Sequence, residues 1–238
     1  TLIVHDEAHL TPAFSLLLRK VEEVQNSGEP HPGFPPFRVL ELSATSHKAE
    51  ESFDPALSKE GRIGSPVTLE SDDDENETVM ERLLAVKKLR LHKTENQKDQ
   101  LEKILELAWE HSLEKSRVVV FVQSPEDAVD VQKRLVEKLA IQAEESWRNQ
   151  HAGESMEKAE KNALLRECQE SVSILTGEIR GHERDLLMKK PGMAPFLEEI
   201  PLERTYYLVS TSAGEVGMDL HADHMVSDLT TLDSLVQR

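Results

Sequence analysis

The stretch SRVVVFVQS at 116–124 constrains this chain more than any other. Its unbroken apolar run, rich in β-branched valine and showing no polar alternation, suits a strand buried on both faces. Such strands belong to parallel sheets covered by helices. PEDAVDVQKRLVEKL follows at once, with Pro125 suited to a first helical turn and Val129, Leu135 and Leu139 marking one packed side. The same unit recurs along the chain. TLIVH precedes TPAFSLLLRKVEEVQ, where Thr11 and Pro12 can start a helix; FRVLELSAT, VSILTG, TYYLVSTSAG and HMVSDL are further short strands. NQKDQLEKILELAWEHSLEK places Leu101, Ile104, Leu105 and Ala108 on one helical face. Strand and helix alternate, which predicts βαβ units around parallel sheets and an α/β fold.

Two units fit 238 residues, and a hydrophobic content of 38% with only 4% aromatics favours Leu, Val, Ile and Ala cores of the helix-on-sheet kind. The seam falls between about 46 and 78, where periodicity fades and the acidic run LESDDDENETVMER begins. Beyond it, AVKKLRLH reads as a strand entering the second unit, and the polar stretch near 140–168 reads as a helical insertion. The formal charge of −17 argues against non-specific coating of nucleic acid, though not against a groove of placed groups. The one cysteine, Cys168, excludes an intrachain disulfide and reads as a buried thiol in a reducing, cytoplasmic setting. No apolar run is long enough to span a membrane.

The opening TLIVHDEAHL admits two chemistries. His5 and His9 would share a helical face as a zinc pair. On a strand, residues four apart lie about 13 Å apart, too far for one ion. Leu2, Ile3 and Val4 are too short a run for a helix and right for a buried strand, so the strand reading prevails. Asp6 and Glu7 then leave the carboxyl end of that strand, where α/β sheets bind nucleotides. Phosphoryl transfer needs one carboxylate for Mg²⁺ and a second to orient or deprotonate water, and this pair fits both roles. A bare acidic turn capping the next helix is the alternative for the dipeptide alone.

HDEAH resembles the DEAH box of superfamily 2 helicases, and LSAT resembles their third motif. STSAGEVGMDLHADHMVSD looks like motif V, and LDSLVQR looks like the start of motif VI, in the family's order. LTGEIRGHERD ahead of motif V, with Thr211, Glu215, Gly217, Asp219, Ala222 and Asp223 in a T-x-x-x-E-x-G-x-D-x-x-A-D pattern, is most similar to the CRISPR-associated helicase–nuclease of type I systems, of the U or G variant. This resemblance implies two RecA-like lobes with parallel sheets flanked by helices, the first only partly present. It would span 1–70, an acidic linker 71–78, and a second lobe over 79–238 truncated in motif VI.

Carried over residue by residue, the resemblance gives Asp6 the Mg²⁺, Glu7 the hydrolytic water, and His9 the link from the nucleotide to the rest of the machine. Ser43 and Thr45 would couple nucleotide state to the nucleic-acid groove. Gly217 and Asp219 would approach ATP, while Gln237 and Arg238 would open the motif that brings charge to the γ-phosphate. Thr211 and Ser212, with Gln123, Ser124, Thr176 and Gly177 at equivalent strand ends, would line single-stranded DNA; for the last four a plain loop reading competes. The implied cofactors are ATP and Mg²⁺. The implied partners are single-stranded DNA, a guide-RNA surveillance complex and an HD nuclease domain in the longer protein. Without a G-x-x-x-x-G-K-[ST] loop or the later motif VI arginines, little ATPase activity is expected from this stretch by itself. A helicase of general metabolism, or a RecA-like binding module without turnover, are the competing readings.

Overall fold

The computed structural model describes residues 2–6, 8, 11–27, 37–42, 80, 84–152, 154–178, 181–215 and 220–238. The chain divides into two compact units, Thr1–His92 and Lys93–Arg238.

In the first unit, strand β1 (Leu2–His5) and strand β2 (Arg38–Glu41) lie parallel, with helix α1 (Pro12–Asn26) between them in sequence. Leu2 stands opposite Arg38 and His5 opposite Glu41. The parallel arrangement follows from the crossover, since a helix-length connection returns the chain to the same end of the sheet. The ladder continues past both strands: Leu42 N–H donates to the His5 carbonyl at 2.9 Å, and Ala8 N–H donates to the Leu42 carbonyl at 3.0 Å. Asn26 closes the helix onto β2 through the Phe37 carbonyl at 2.9 Å, and Arg19 pairs with Glu41. Ala8, Leu18 and Phe37 are buried, whereas Leu2, Val4 and Leu40 are about half exposed or more, so β1 forms as a strand but is not the buried one its apolar run predicts.

The second unit is built on a four-stranded sheet in the order β4-β5-β3-β6, every pairing parallel. Its elements are α2 (Gln97–Trp109), β3 (Arg117–Phe121), α3 (Pro125–Gln150), α4 (Lys158–Glu170), β4 (Val172–Leu175), α5 (Gly181–Met188), α6 (Ala194–Leu197), β5 (Tyr206–Ser210), a 3₁₀ turn (Ser212–Gly214), β6 (His224–Ser227) and α7 (Leu232–Gln237). Alternate residues of the central strands face opposite layers. Val118, Val120, Tyr207 and Val209 meet Ile104, Leu105 and Ala108 of α2 and Ala128, Val131 and Leu135 of α3. Val119, Phe121 and Leu208 meet Leu187 of α5 and Met193 and Phe196. Helices therefore cover both faces, as the apolar run at 118–122 requires, and the α/β class with helix-flanked parallel sheets is the one found.

One further local expectation changes. Residues 85–94 form no strand, and Val86, Leu89 and Leu91 are 80% exposed or more. A strand needs a ladder partner, and none of the described residues supplies one to this stretch. The polar stretch after 140 is helical: α3 runs unbroken for 26 residues to Gln150, and α4 folds back along it, tied by Lys161 to Glu144 at 2.9 Å. Together they make the crossover from β3 to β4. Among the described residues no helix is long and apolar enough to cross a membrane.

Candidate functional site

In the first unit the sequence points to the carboxyl ends of β1 and β2. Asp6 is exposed directly after β1, and Ala8 is fastened to Leu42 by its backbone N–H. The bond from Ala8 to Leu42 sets Ala8 beside the residue that opens Leu-Ser-Ala-Thr. Glu7, His9, Ser43 and Thr45 lie outside the described residues. His5 is buried, and its ring nitrogens are taken by hydroxyls: Nε2 by Thr11 Oγ1 at 2.9 Å and Nδ1 by Ser15 Oγ at 3.1 Å. Phe14 packs edge-on against the ring at 5.0 Å. An imidazole held in this way fixes the start of α1 against β1 and has no nitrogen left for a metal.

In the second unit all four strands end at one edge. Backbone bonds continue past the strands and knit that edge together: Thr211 N–H to the Leu175 carbonyl at 3.2 Å, Val122 N–H to the Ser210 carbonyl at 2.9 Å, and Asp228 N–H to the Phe121 carbonyl at 3.2 Å. The sequence-selected residues thus come together in the spatial order Thr176 and Gly177, Thr211 and Ser212, Gln123 and Ser124. The chain leaves β3 towards β4 on one side and leaves β5 towards β6 on the other. The adjacent ends of β3 and β5 are therefore a topological switch point, where open α/β sheets form a crevice.

Each residue there has a definite local state. Ser124 caps α3 by accepting Asp127 N–H at 3.0 Å, ahead of Pro125. Thr176 and Thr211 are buried, while Gln123, Gly177 and Ser212 are exposed. Gly214 closes the 3₁₀ turn against β5: a Cβ there would stand 2.5 Å from Ser210 Oγ, which itself donates to the Leu175 carbonyl at 3.0 Å. A side chain at 214 would push this turn off the strand end. Gly217 and Asp219 lie outside the described residues, and Gln237 is the last residue of α7.

Arg238 sits in the same edge, its side chain 4% exposed. Nη2 meets Glu215 Oε1 at 2.7 Å, Nη1 meets Asp228 Oδ1 at 2.7 Å, and Nη1 also donates to Ser227 Oγ. The guanidinium lies 4.6 Å from the centre of the Phe121 ring. One cation therefore joins the turn after β5, the end of β6 and the end of β3. Glu215 fits the motif V pattern, but Asp228, Phe121 and Gly214 are not singled out by sequence reasoning. The signal that could have found Asp228 is an acid directly after an apolar strand, the same signal that marks Asp6.

Elsewhere, His111, Glu114 and His224 converge at the opposite, amino-terminal end of the sheet. His111 Nδ1 and His224 Nε2 lie 2.8 and 3.0 Å from the same Glu114 oxygen. The His111 hydrogen bond is the chief cause that holds the Glu114 carboxyl below the usual carboxylate range.

No protein-family profile matches this chain, and no curated sequence matches it significantly. Among solved structures it is similar to T. fusca Cas3 bound to ATP, at 17% identity and a TM-score of 0.55, over the whole of this chain and 26% of that one. Two structures of S. cerevisiae Dbp5 bound to RNA and ADP BeF3, one carrying L327V, match at 16% and 17% identity with TM-scores of 0.46 and 0.49. The chain spans 49% of the length of each Dbp5 chain. This chain has a RecA-like α/β fold of parallel sheets flanked by helices, a fold it shares with T. fusca Cas3.

Proposed function

We propose that this chain is part of an ATP-dependent helicase that moves on single-stranded DNA in type I CRISPR interference. The observation that carries the reading is the placing of the sequence-selected residues at carboxyl strand ends. Asp6 directly follows β1 beside the start of Leu-Ser-Ala-Thr, and the hydroxyl-bearing ends of β4, β5 and β3 share one edge of the second sheet. The resemblance of motif V and of LTGEIRGHERD supports the CRISPR assignment, as does the similarity of fold to an ATP-bound Cas3.

In this reading Asp6 is the carboxylate that would hold Mg²⁺, and its exposure on a strand end suits that task. The ion would neutralise charge on the β- and γ-phosphates. Glu7 takes a proton from the attacking water, while Ser43 and Thr45 report nucleotide state to the groove and His9 links the two. Gly217 and Asp219 are the motif V residues that the resemblance assigns to the nucleotide. The exposed Ser212, Gly177 and Gln123 hold phosphodiester oxygens through hydroxyl, amide and backbone N–H groups without reading sequence, while the buried Thr211 and Thr176 and the helix-capping Ser124 shape the strand ends behind them. Arg238, clamped by Glu215 and Asp228, sets the shape of that edge; it reaches a phosphate by exchanging one carboxylate for it. Gln237 precedes it in the same turn of α7. A guide-RNA complex would deliver the DNA, and an HD nuclease domain would cut it.

DNA-stimulated ATP hydrolysis by the intact gene product tests this. Glu7→Gln, which keeps shape and removes the base, is expected to slow turnover by about 10²-fold or more with DNA binding retained. Hydrolysis at the wild-type rate would remove Glu7 from the mechanism, and an intact protein without DNA-stimulated hydrolysis would overturn the assignment.

A further inference from the structure

The amino-terminal end of the second sheet carries a group of side chains that the helicase reading does not use. His111 and Glu114 sit in the turn between α2 and β3, and His224 is the first residue of β6, more than a hundred positions away in sequence. One ligand atom from each lies within 4.8 Å of the other two. We propose that His111, Glu114 and His224 form a binding site for a first-row divalent metal ion of the zinc class, which clamps the α2 turn to β6.

The donor chemistry selects that class. Two imidazoles and one carboxylate are borderline ligands that suit zinc, cobalt or nickel and would not satisfy calcium or magnesium, which take oxygen. Spacing agrees with it. Bonds of about 2.0–2.1 Å in a tetrahedron put neighbouring donors roughly 3.3 Å apart, so the observed 2.8 and 3.0 Å need to open only slightly. The two rings are stacked, with centroids 3.7 Å apart and planes 11° from parallel. One must turn about its outer torsion for both lone pairs to meet an ion, and His224, 33% exposed, lies at the surface where it can. Glu114 is half exposed, which leaves the outer side for a water as fourth ligand.

The backbone under the site is held. Glu114 N–H donates to the His111 carbonyl at 3.1 Å, and the Thr205 hydroxyl donates to that same carbonyl at 2.8 Å. Lys115 follows with φ of 51°, a left-handed conformation that a lysine seldom adopts and that turns the chain sharply after Glu114. On the other side, β6 is fixed by its pairing of His224 with Val118. Beneath the cluster the Tyr207 phenol is fully buried, and its oxygen has no partner among the described residues. Burial chiefly, and the Glu114 charge second, hold that phenol well above its usual range.

The test is a titration of the chain with Zn²⁺ and, as a spectroscopic probe, Co²⁺. One equivalent is expected to bind, with visible Co²⁺ absorption and a rise in Tm of roughly 5 °C or more at about a hundredfold excess over Kd. Glu114→Gln and His224→Asn should each weaken binding about tenfold or more, the least that loss of a direct ligand costs when second-layer partners cost as much. Glu114→Gln changes an exposed turn and leaves β6 intact, so it reports even if His224→Asn fails to fold. With Co²⁺ bound, paramagnetic shifts should appear on the His111 and His224 ring protons. Unchanged affinity in both variants, shifts confined to other histidines, or no binding below millimolar metal would overturn the site.

Discussion

Arg238 is the residue on which the strand-end edge turns. Its side chain and those of Asp228 and Glu215 are all less than a tenth exposed, so two carboxylates depend on one cation in a place water hardly reaches. Removing one partner of such a cluster leaves charge buried without compensation, and Arg238→Met is expected to cost about 3–5 kcal/mol in urea unfolding. A loss under about 1 kcal/mol, the size of a solvated surface pair, would show that the cluster carries little. Tyr207 makes the opposite case. Its hydroxyl is buried with no partner among the described residues, and an orphaned polar group of this kind costs about 1–3 kcal/mol. Tyr207→Phe should therefore melt at or above the wild-type temperature; a clear drop in a thermal scan would mean that the oxygen has found a partner.

At the scale of elements, α2 and α3 pack side by side on one face of the sheet and are also stapled at the surface. Arg134 of α3 reaches Glu102 of α2 at 2.5 Å and Asp130 at 3.6 Å. The Arg134 hydrogen bond is the main cause that lowers the Glu102 carboxyl below its ordinary value. A carboxylate whose folded value is depressed stabilises the protein above its unfolded value, and that contribution fades as pH falls through the folded one. Glu102→Gln should therefore melt slightly below wild type at neutral pH, with the two curves merging in acid below the usual carboxylate range. Because the pair is solvated, the gap will be small, and a gap that widens in acid would reverse the sign argued here. Helix α3 itself follows from Ser124, Pro125 and the acids Glu126 and Asp127 at its start, which cap and charge the first turn.

At the scale of the whole molecule, the described residues of the two units differ in how much core they hold. Lys93–Arg238 buries strands β3 and β5 between two helical layers, whereas among the described residues of Thr1–His92 only His5, Ala8, Leu18 and Phe37 are buried. Hydrogen exchange should mirror this, with amides of β3 and β5 protected longest and those of β1 and β2 exchanging well before them, since the described residues bury little against β1 and β2. Equal protection in β1 and β3 would contradict it. The strands themselves were legible because their signal is local: VVVFV, YYLV and VSIL each declare two-sided burial, LIV declares a strand though not its exposure, and Ser124 with Pro125 declares a helix start. AVKKLRLH carries β-forming residues too, yet remains outside any strand, because a strand also needs a neighbour to pair with and no sequence pattern states who that is. The sequence by itself determined the α/β class and the candidate residues at strand ends, since both depend on short-range periodicity and on residue chemistry. Only the tertiary structure decided that β5 inserts between β4 and β3, that Arg238 is committed to Glu215 and Asp228, and that His111 and Glu114 meet His224, because each depends on contacts between residues that chain order keeps apart.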